Sequence, residues 1–263
     1  MIRKHLGYAR LAIKNSMEFK TSFYAGSIIP IFQIVILVIM WRLIFSISES
    51  GLMGGLGLNE MLLYVIIMIV VSETIIIGKL TQGEIRRGDI VKDFARPVKH
   101  NLRVFITRYT IRILRMLPLI PVVIVTIWYL GLPISTHWLT WILFFISWGL
   151  ATVLMFFLAQ AFAAISFWSN AIGNMRWTFG LLNGFFGGGF LPLTMFPVLL
   201  QQVLNFLPFM YTVFVPLFIL LEKYSLQESL WRVGVQIIWI GIAALILRFV
   251  WKKGLKRFDA QGG

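Results

Sequence analysis

Apolar residues run along this chain in long stretches that polar residues interrupt only at intervals, a pattern of whole hydrophobic segments and not of half-buried faces. A helix needs about 20 mostly apolar residues to cross a bilayer core, and it carries its own backbone hydrogen bonds while doing so. Residues 21–41 contain no charge and predict a first crossing over 23–45. Met61 to Gly78, interrupted by Glu73, predicts a second over 60–78. The run from Met116 to Met175 has no Asp, Glu, Lys or Arg and is too long for one span; its polar turn GLPISTH at 131–137 divides it into crossings over 111–131 and 138–165. A further uncharged run from Trp177 to Leu221 predicts a fifth over 176–192. Residues 231–250 predict the last, with Arg232 and Arg248 near its ends snorkelling to the headgroups. The expectation is an all-α polytopic membrane protein, one transmembrane domain over 1–263 with six spans.

Three segments depart from plain spans. Over residues 1–22, Leu6, Ala9, Ile13 and Met17 recur at near-helical spacing between Lys14, Glu18 and Lys20, which predicts an amphipathic helix lying along the interface. The charged stretch GEIRRGDIVKDFARPV, residues 83–98, holds a short apolar pattern. Asp89 is placed to cap a helix whose Ile90, Val91 and Phe94 share a side away from Lys92, Asp93 and Arg96, and Pro97 stops it. A helix of about two turns is unstable alone. Its apolar side must bury itself against the protein's own helix ends or against a cytoplasmic partner. After the glycines at 184 and 187–189, Pro192, Pro197, Pro208 and Pro216 punctuate a sequence that stays apolar. Broken backbone at membrane depth is tolerated only inside protein or beside water. A re-entrant outer-leaflet hairpin over 193–218 is therefore expected.

Charge orients the picture. The chain has 59% hydrophobic and 13% charged residues and a net charge of +14, which by itself would also suit a nucleic-acid partner. With the N-terminus inside, however, 21 of the 24 Lys and Arg fall on the cytoplasmic side, leaving Arg42, Lys223 and Arg232 opposite. That is the positive-inside distribution, with both termini cytoplasmic, and it accounts for the basic charge without nucleic acid. Cysteine is absent. His5, His100 and His137 are scattered without metal-ligand spacing, and neither a phosphate-binding loop nor a nucleophile motif occurs, so no catalytic or metal site is expected. Glu73 is the single carboxylate placed well inside a span: either an ion or substrate relay, or the partner of Arg112 or Arg115.

The order of these parts resembles the membrane subunits of ABC-2 type ATP-binding cassette exporters. The resemblance rests on the amphipathic start, IRRGDIVKDFARPV between the second and third spans, LPF-x-Y-x-x-x-x-P at 207–216, and the basic Gly-Gly tail WKKGLKRFDAQGG at 251–263. It implies a bacterial cell-membrane permease, pairing with a second permease subunit and docking on a separate ATPase chain. Asp89 to Arg96, bounded by Pro97, would be the coupling helix, with Ile90, Val91 and Phe94 as contacts. ATP and Mg would sit on the ATPase and no cofactor on this chain, while the cargo would be hydrophobic or amphipathic. The alternative is a secondary transporter or membrane scaffold without an ATPase, which would draw on Glu73 as its ion site.

Overall fold

The structure, a computed structural model, describes residues 7–8, 10–14, 20–49, 51–74, 79–90, 100–168 and 175–257. The bounded α-helices among the described residues are α1 (Lys20–Ile47), α2 (Leu58–Thr74), α3 (Lys79–Arg86), α4 (His100–Met116), α5 (Leu119–Leu130), α6 (Trp138–Ala164), α7 (Met175–Phe186), α8 (Val198–Asn205), α9 (Phe214–Leu220) and α10 (Leu226–Arg257). Residues 7–8 and 10–14, within the N-terminal segment read as amphipathic, are also helical, with Ala12 buried and Leu11 exposed.

The all-α, membrane-embedded character holds, but the expected six spans do not. Among the described residues three helices, α1, α6 and α10, are long and apolar enough to cross a membrane. A fourth crossing is reached only if α4 and α5, bent by 43° at Leu117–Pro118, count as one. Pro118 has no N–H for the ladder and its ring crowds the preceding turn, which is why the helix breaks there. Of the second expected span, 60–78, the described residues form α2 as far as Thr74, and residues 75–78 lie outside the described residues. The fifth is the 12-residue α7, about 18 Å long at 1.5 Å per residue against a core of about 30 Å.

The expected re-entrant hairpin is also replaced. From Leu193 to Leu220 the chain makes a 3-10 turn (Leu193–Met195), α8, a second 3-10 turn (Phe209–Tyr211) and α9. The two short helices serve different surroundings. All seven residues of α9 are buried, packed against α6 and α2, whereas α8 exposes Val198, Leu199 and Val203, with Phe206 exposed just past its end. Pro197 immediately precedes α8 and Pro208 the second 3-10 turn, but Pro216 sits in the first turn of α9, where a missing N–H costs nothing. A segment that reads as uniformly apolar is thus divided by burial.

The core is built around α2 and α9. Met61 through Ile66 are six consecutive buried residues, so α2 is apolar all round and enclosed all round. Around it α1, α5, α6 and α10 turn apolar side chains outward, among them Phe32, Ile124, Trp128 and Ile238, a surface suited to lipid. The most extensive helix pairing joins α6 to α10.

Polar groups inside this core are tied to one another. The Tyr64 hydroxyl donates to the Gly188 carbonyl at 2.7 Å, fixing the break after α7 to the middle of α2. Phe214 N–H donates to the Gly187 carbonyl at 2.9 Å and Thr212 Oγ1 to Asn183 Oδ1 at 2.8 Å. On α10, Gln236 is wholly buried; its amide donates to the carbonyls of Ser147 (3.1 Å) and Tyr211 (2.8 Å) and accepts from Ser147 Oγ at 2.9 Å. These bonds satisfy backbone that the glycine and proline breaks leave unpaired.

Gly188 holds φ +83°, and a Cβ there would lie 2.6 Å from Tyr64 Oη. Gly188→Ala combines left-handed strain with that collision, and we expect it to cost about 1–3 kcal/mol, read as a lowered thermal midpoint of the detergent-solubilised protein. Tyr64→Phe removes only the hydrogen bond and should cost about 1 kcal/mol; a Gly188→Ala midpoint equal to wild type would contradict the close approach.

Candidate functional site

The connection between α3 and α4 folds back on the protein. After α3 the chain turns through residues 87–90, with Gly88 at φ +74° allowing the reversal. Arg87 Nε donates to Asp89 Oδ2 at 2.9 Å on the exposed side of this turn. On its inner side Ile90, 2% exposed, joins Ile85, Ala164 and Phe167 in a small buried cluster, with Val250, Trp251 and Leu255 of α10 packed against it. One turn therefore rests on the ends of both α6 and α10.

An ionic layer backs this cluster. Arg103 Nη2 of α4 donates to both oxygens of Glu84 of α3 at 3.0 Å, and both side chains are largely buried. His100 lies with Nδ1 3.7 Å from the same carboxylate and with its ring stacked on Trp251 at 5.0 Å between centroids. Trp251 in turn meets Phe167 edge-on at 5.4 Å. Gly254, one turn further along α10, lets the Phe167 ring pack directly over the helix backbone, in space a Cβ would need. The result is a joint linking α3, α4, α6 and α10 through charge and rings.

The sequence-predicted residues fall unevenly around this joint. Asp89 and Ile90 lie in the turn, and Ile90 is spent on the protein's own helix ends. Val91, Phe94, Arg96 and Pro97 lie outside the described residues. Glu73, near the end of α2, accepts from Arg112 Nη1 of α4 at 2.9 Å, both partly exposed, which is the ion pair rather than an isolated carboxylate. Glu84, His100 and Arg103 were not singled out from sequence. Their only signal is that His100 and Arg103 are one helical turn apart, while Glu84 is 19 residues from Arg103.

At the opposite end of the bundle a second polar group closes the loops. Glu222, at φ +55°, accepts from Ser135 Oγ at 2.5 Å and Thr140 Oγ1 at 3.0 Å, tying the α5–α6 connection to the one before α10. Those hydrogen bonds, the Ser135 bond foremost, outweigh the cost of desolvation and hold its carboxyl below the usual glutamate range, aided by His137. Its neighbour Lys223 pairs at 2.6 Å with Glu60, whose other oxygen accepts from Gly57 N–H at the start of α2. Beside them, between α8, α9 and α10, lies a cavity of about 180 Å³ lined in part by Thr194, Asn205, Tyr224 and Arg232. No group of three or more His, Cys, Asp or Glu is placed to hold a metal ion among the described residues.

The family described as ABC-2 family transporter protein matches residues 31–262, nearly the whole chain and all the helices from within α1 to α10. The chain belongs to that family. It is therefore a membrane permease domain of the ABC-2 type, with no catalytic motif in its own residues. No curated protein matches the chain in sequence. Family membership gives the two polar ends of this ABC-2 domain a common context, transport across the membrane in which the helices sit.

Two expectations follow for this ABC-2 domain. Gly254→Ala places a methyl group where the Phe167 ring packs, and should cost about 1–3 kcal/mol by overpacking, measured as loss of thermal stability; Gly241→Ala, with open space around it, is the neutral comparison. Glu222 gives a pH dependence. Folding lowers the proton affinity of this carboxyl, so its contribution is whole above the ordinary glutamate value of about 4.3 and is lost as pH falls through the lower folded value. Amide exchange in 132–137 should thus stay slow, after correction for intrinsic rates, between about pH 7 and 5 and accelerate in stronger acid, with Glu222→Gln fast throughout.

Proposed function

We propose that this chain is the permease subunit of an ATP-driven exporter, contributing half of a translocation path with a second permease subunit and taking its energy from a separate ATPase chain. ATP and Mg belong on that ATPase. The segment 83–98 is the coupling region: Asp89 and Ile90 set its entry, Val91, Phe94 and Arg96 meet the ATPase, and Pro97 ends it. The basic end of the bundle, with both termini, faces the cytoplasm of a bacterial cell, because 21 of the 24 Lys and Arg lie in segments assigned to that side. The cargo is hydrophobic or amphipathic.

The observation that carries this reading is the joint behind residues 87–90. Ile85 and Ile90 are packed on Ala164 and Phe167 at the end of α6 and on Val250, Trp251 and Leu255 of α10. A displacement delivered to this turn reaches the two helices that form the most extensive pairing in the protein. Packed interfaces of this kind shift between discrete arrangements instead of deforming smoothly, which is what a two-state transport cycle requires. Ion-driven transport finds less support, since Glu73 is paired with Arg112 at 2.9 Å.

The test uses Phe94→Asp, which spares Ile90 and the buried joint. Co-expressed with the ATPase encoded beside it, the wild-type permease should copurify with that subunit and stimulate its ATP hydrolysis. Phe94→Asp should remain monodisperse in detergent while ATPase retention and stimulation fall about tenfold or more, as for loss of an interface anchor. Retention and stimulation both at wild-type level would remove the coupling assignment.

A further inference from the structure

The cavity between α8, α9 and α10 is not explained by coupling, and its wall is unusual. Arg232 is one of only three bases assigned to its side of the protein, and it lies six residues into α10, about 9 Å along the helix. Its guanidinium is held on three sides: Nη1 donates to Asn205 Oδ1 at 3.0 Å, Nη2 to Glu228 Oε1 at 3.1 Å, and the Tyr224 ring stands 5.0 Å from its central carbon. Nε is buried and has no acceptor. Thr194, on the same wall, has a buried Oγ1 that likewise lacks a partner.

Several polar groups around this cavity are only partly used by the protein. Gln201 spends its amide on the Thr194 and Phe196 carbonyls, and Asn205 spends its oxygen on Arg232. Glu228 supplies one carboxylate at the rim. The second N–H groups of Arg232 Nη1 and Nη2, the Asn205 amide and the Tyr224 hydroxyl are left as donors on one wall. A fixed guanidinium with N–H groups to spare suits an oxyanion. The rest of the lining, including Leu193, Met210 and Phe214, is apolar. Just outside, Val198 and Leu199 of α8, Phe206 just past its end and Trp231 of α10 expose apolar and aromatic surface of the kind found where lipid tails meet headgroups.

We propose that this cavity is a phospholipid site, taking the phosphodiester headgroup of an anionic lipid against Arg232 while the acyl chains run along the exposed side of α8. The headgroup oxygen accepts from the remaining N–H groups of Arg232 Nη1 and Nη2, with Tyr224 and Asn205 donating beside it. Glu228 keeps the guanidinium in register at the rim. The site is independent of the coupling region at the other end of the bundle and does not require the ATPase. It makes α8 a lipid-bearing element, either a regulatory lipid seat or the place where an amphipathic cargo leaves the protein.

Delipidated full-length protein in detergent, titrated with phosphatidylglycerol and followed by native mass spectrometry, tests it. One phosphatidylglycerol should be retained per chain, about tenfold more strongly than a diacylglycerol of the same chains. Arg232→Gln should reduce retention to the diacylglycerol level, and Tyr224→Phe, which keeps the ring and removes one donor, should weaken it severalfold without changing monodispersity. Displacement of the lipid by millimolar inorganic phosphate would instead assign the site to a free anion and overturn the lipid reading. So would equal retention of the two lipids, or retention unchanged in Tyr224→Phe and in any folded Arg232→Gln.

Discussion

Backbone that leaves a helix inside a bilayer must find its hydrogen bonds within the protein, and here that obligation is met around Tyr64. Its hydroxyl reaches from the centre of the enclosed helix α2 to the carbonyl of Gly188, at the point where α7 gives out. From there the chain makes four short elements before α10 begins, and the last two are secured by Thr212 to Asn183, by Phe214 to Gly187 and by Gln236 to Tyr211. Without these bonds the glycine run would leave polar backbone facing hydrocarbon. With them, α9 can be buried on every side and serve as core instead of surface.

The two ends of the bundle are built on different principles. One end concentrates buried charge, with Glu84, Arg103 and His100 close together and aromatic rings carrying the contact onward to α6 and α10. Breaking such a group by removing one partner is costly, so its members hold α3 and α4 in register with the long helices. The other end uses side-chain bonds between loops, through Glu222 and through Lys223 with Glu60, on a surface nearly free of other bases. The first end is thus held by a buried joint between helices and the second by ties between loops.

Much of the fold was legible because hydrocarbon is a severe solvent. The long uncharged runs marked α1, α6 and α10 plainly, and the GLPISTH turn separated α5 from α6 where Gly131 takes a left-handed conformation. Apolar composition alone did not show that α2 is enclosed by protein, because a helix buried on all sides carries no periodicity to distinguish it from a lipid-facing one. It misjudged 176–221, since apolar composition does not separate lipid-facing α8 from enclosed α9; that difference depends on what α6 and α2 bring against them. Charges were read as a sum over one side of the membrane, which found the orientation signal but hid the pairing of Glu84 with Arg103 across 19 residues. Arg232 was read as a snorkelling base. The i,i+4 spacing to Glu228 was there to suggest a fixed one.

The bend at Pro118 has a consequence for the lipid. Beyond it α5 supplies only 12 residues, about 18 Å, while α10 runs for 32, about 48 Å. The remainder of the bent crossing falls to α4, where Arg108, Arg112 and Arg115 recur along the helix and draw headgroups or water inward. A bilayer meets apolar helices of unequal length by thinning or thickening, or by their tilting, at fractions of a kcal/mol per Å of mismatch. Counted as one bent crossing, α4 and α5 would present the lipid with a basic half and an apolar half, where α10 presents a single straight wall.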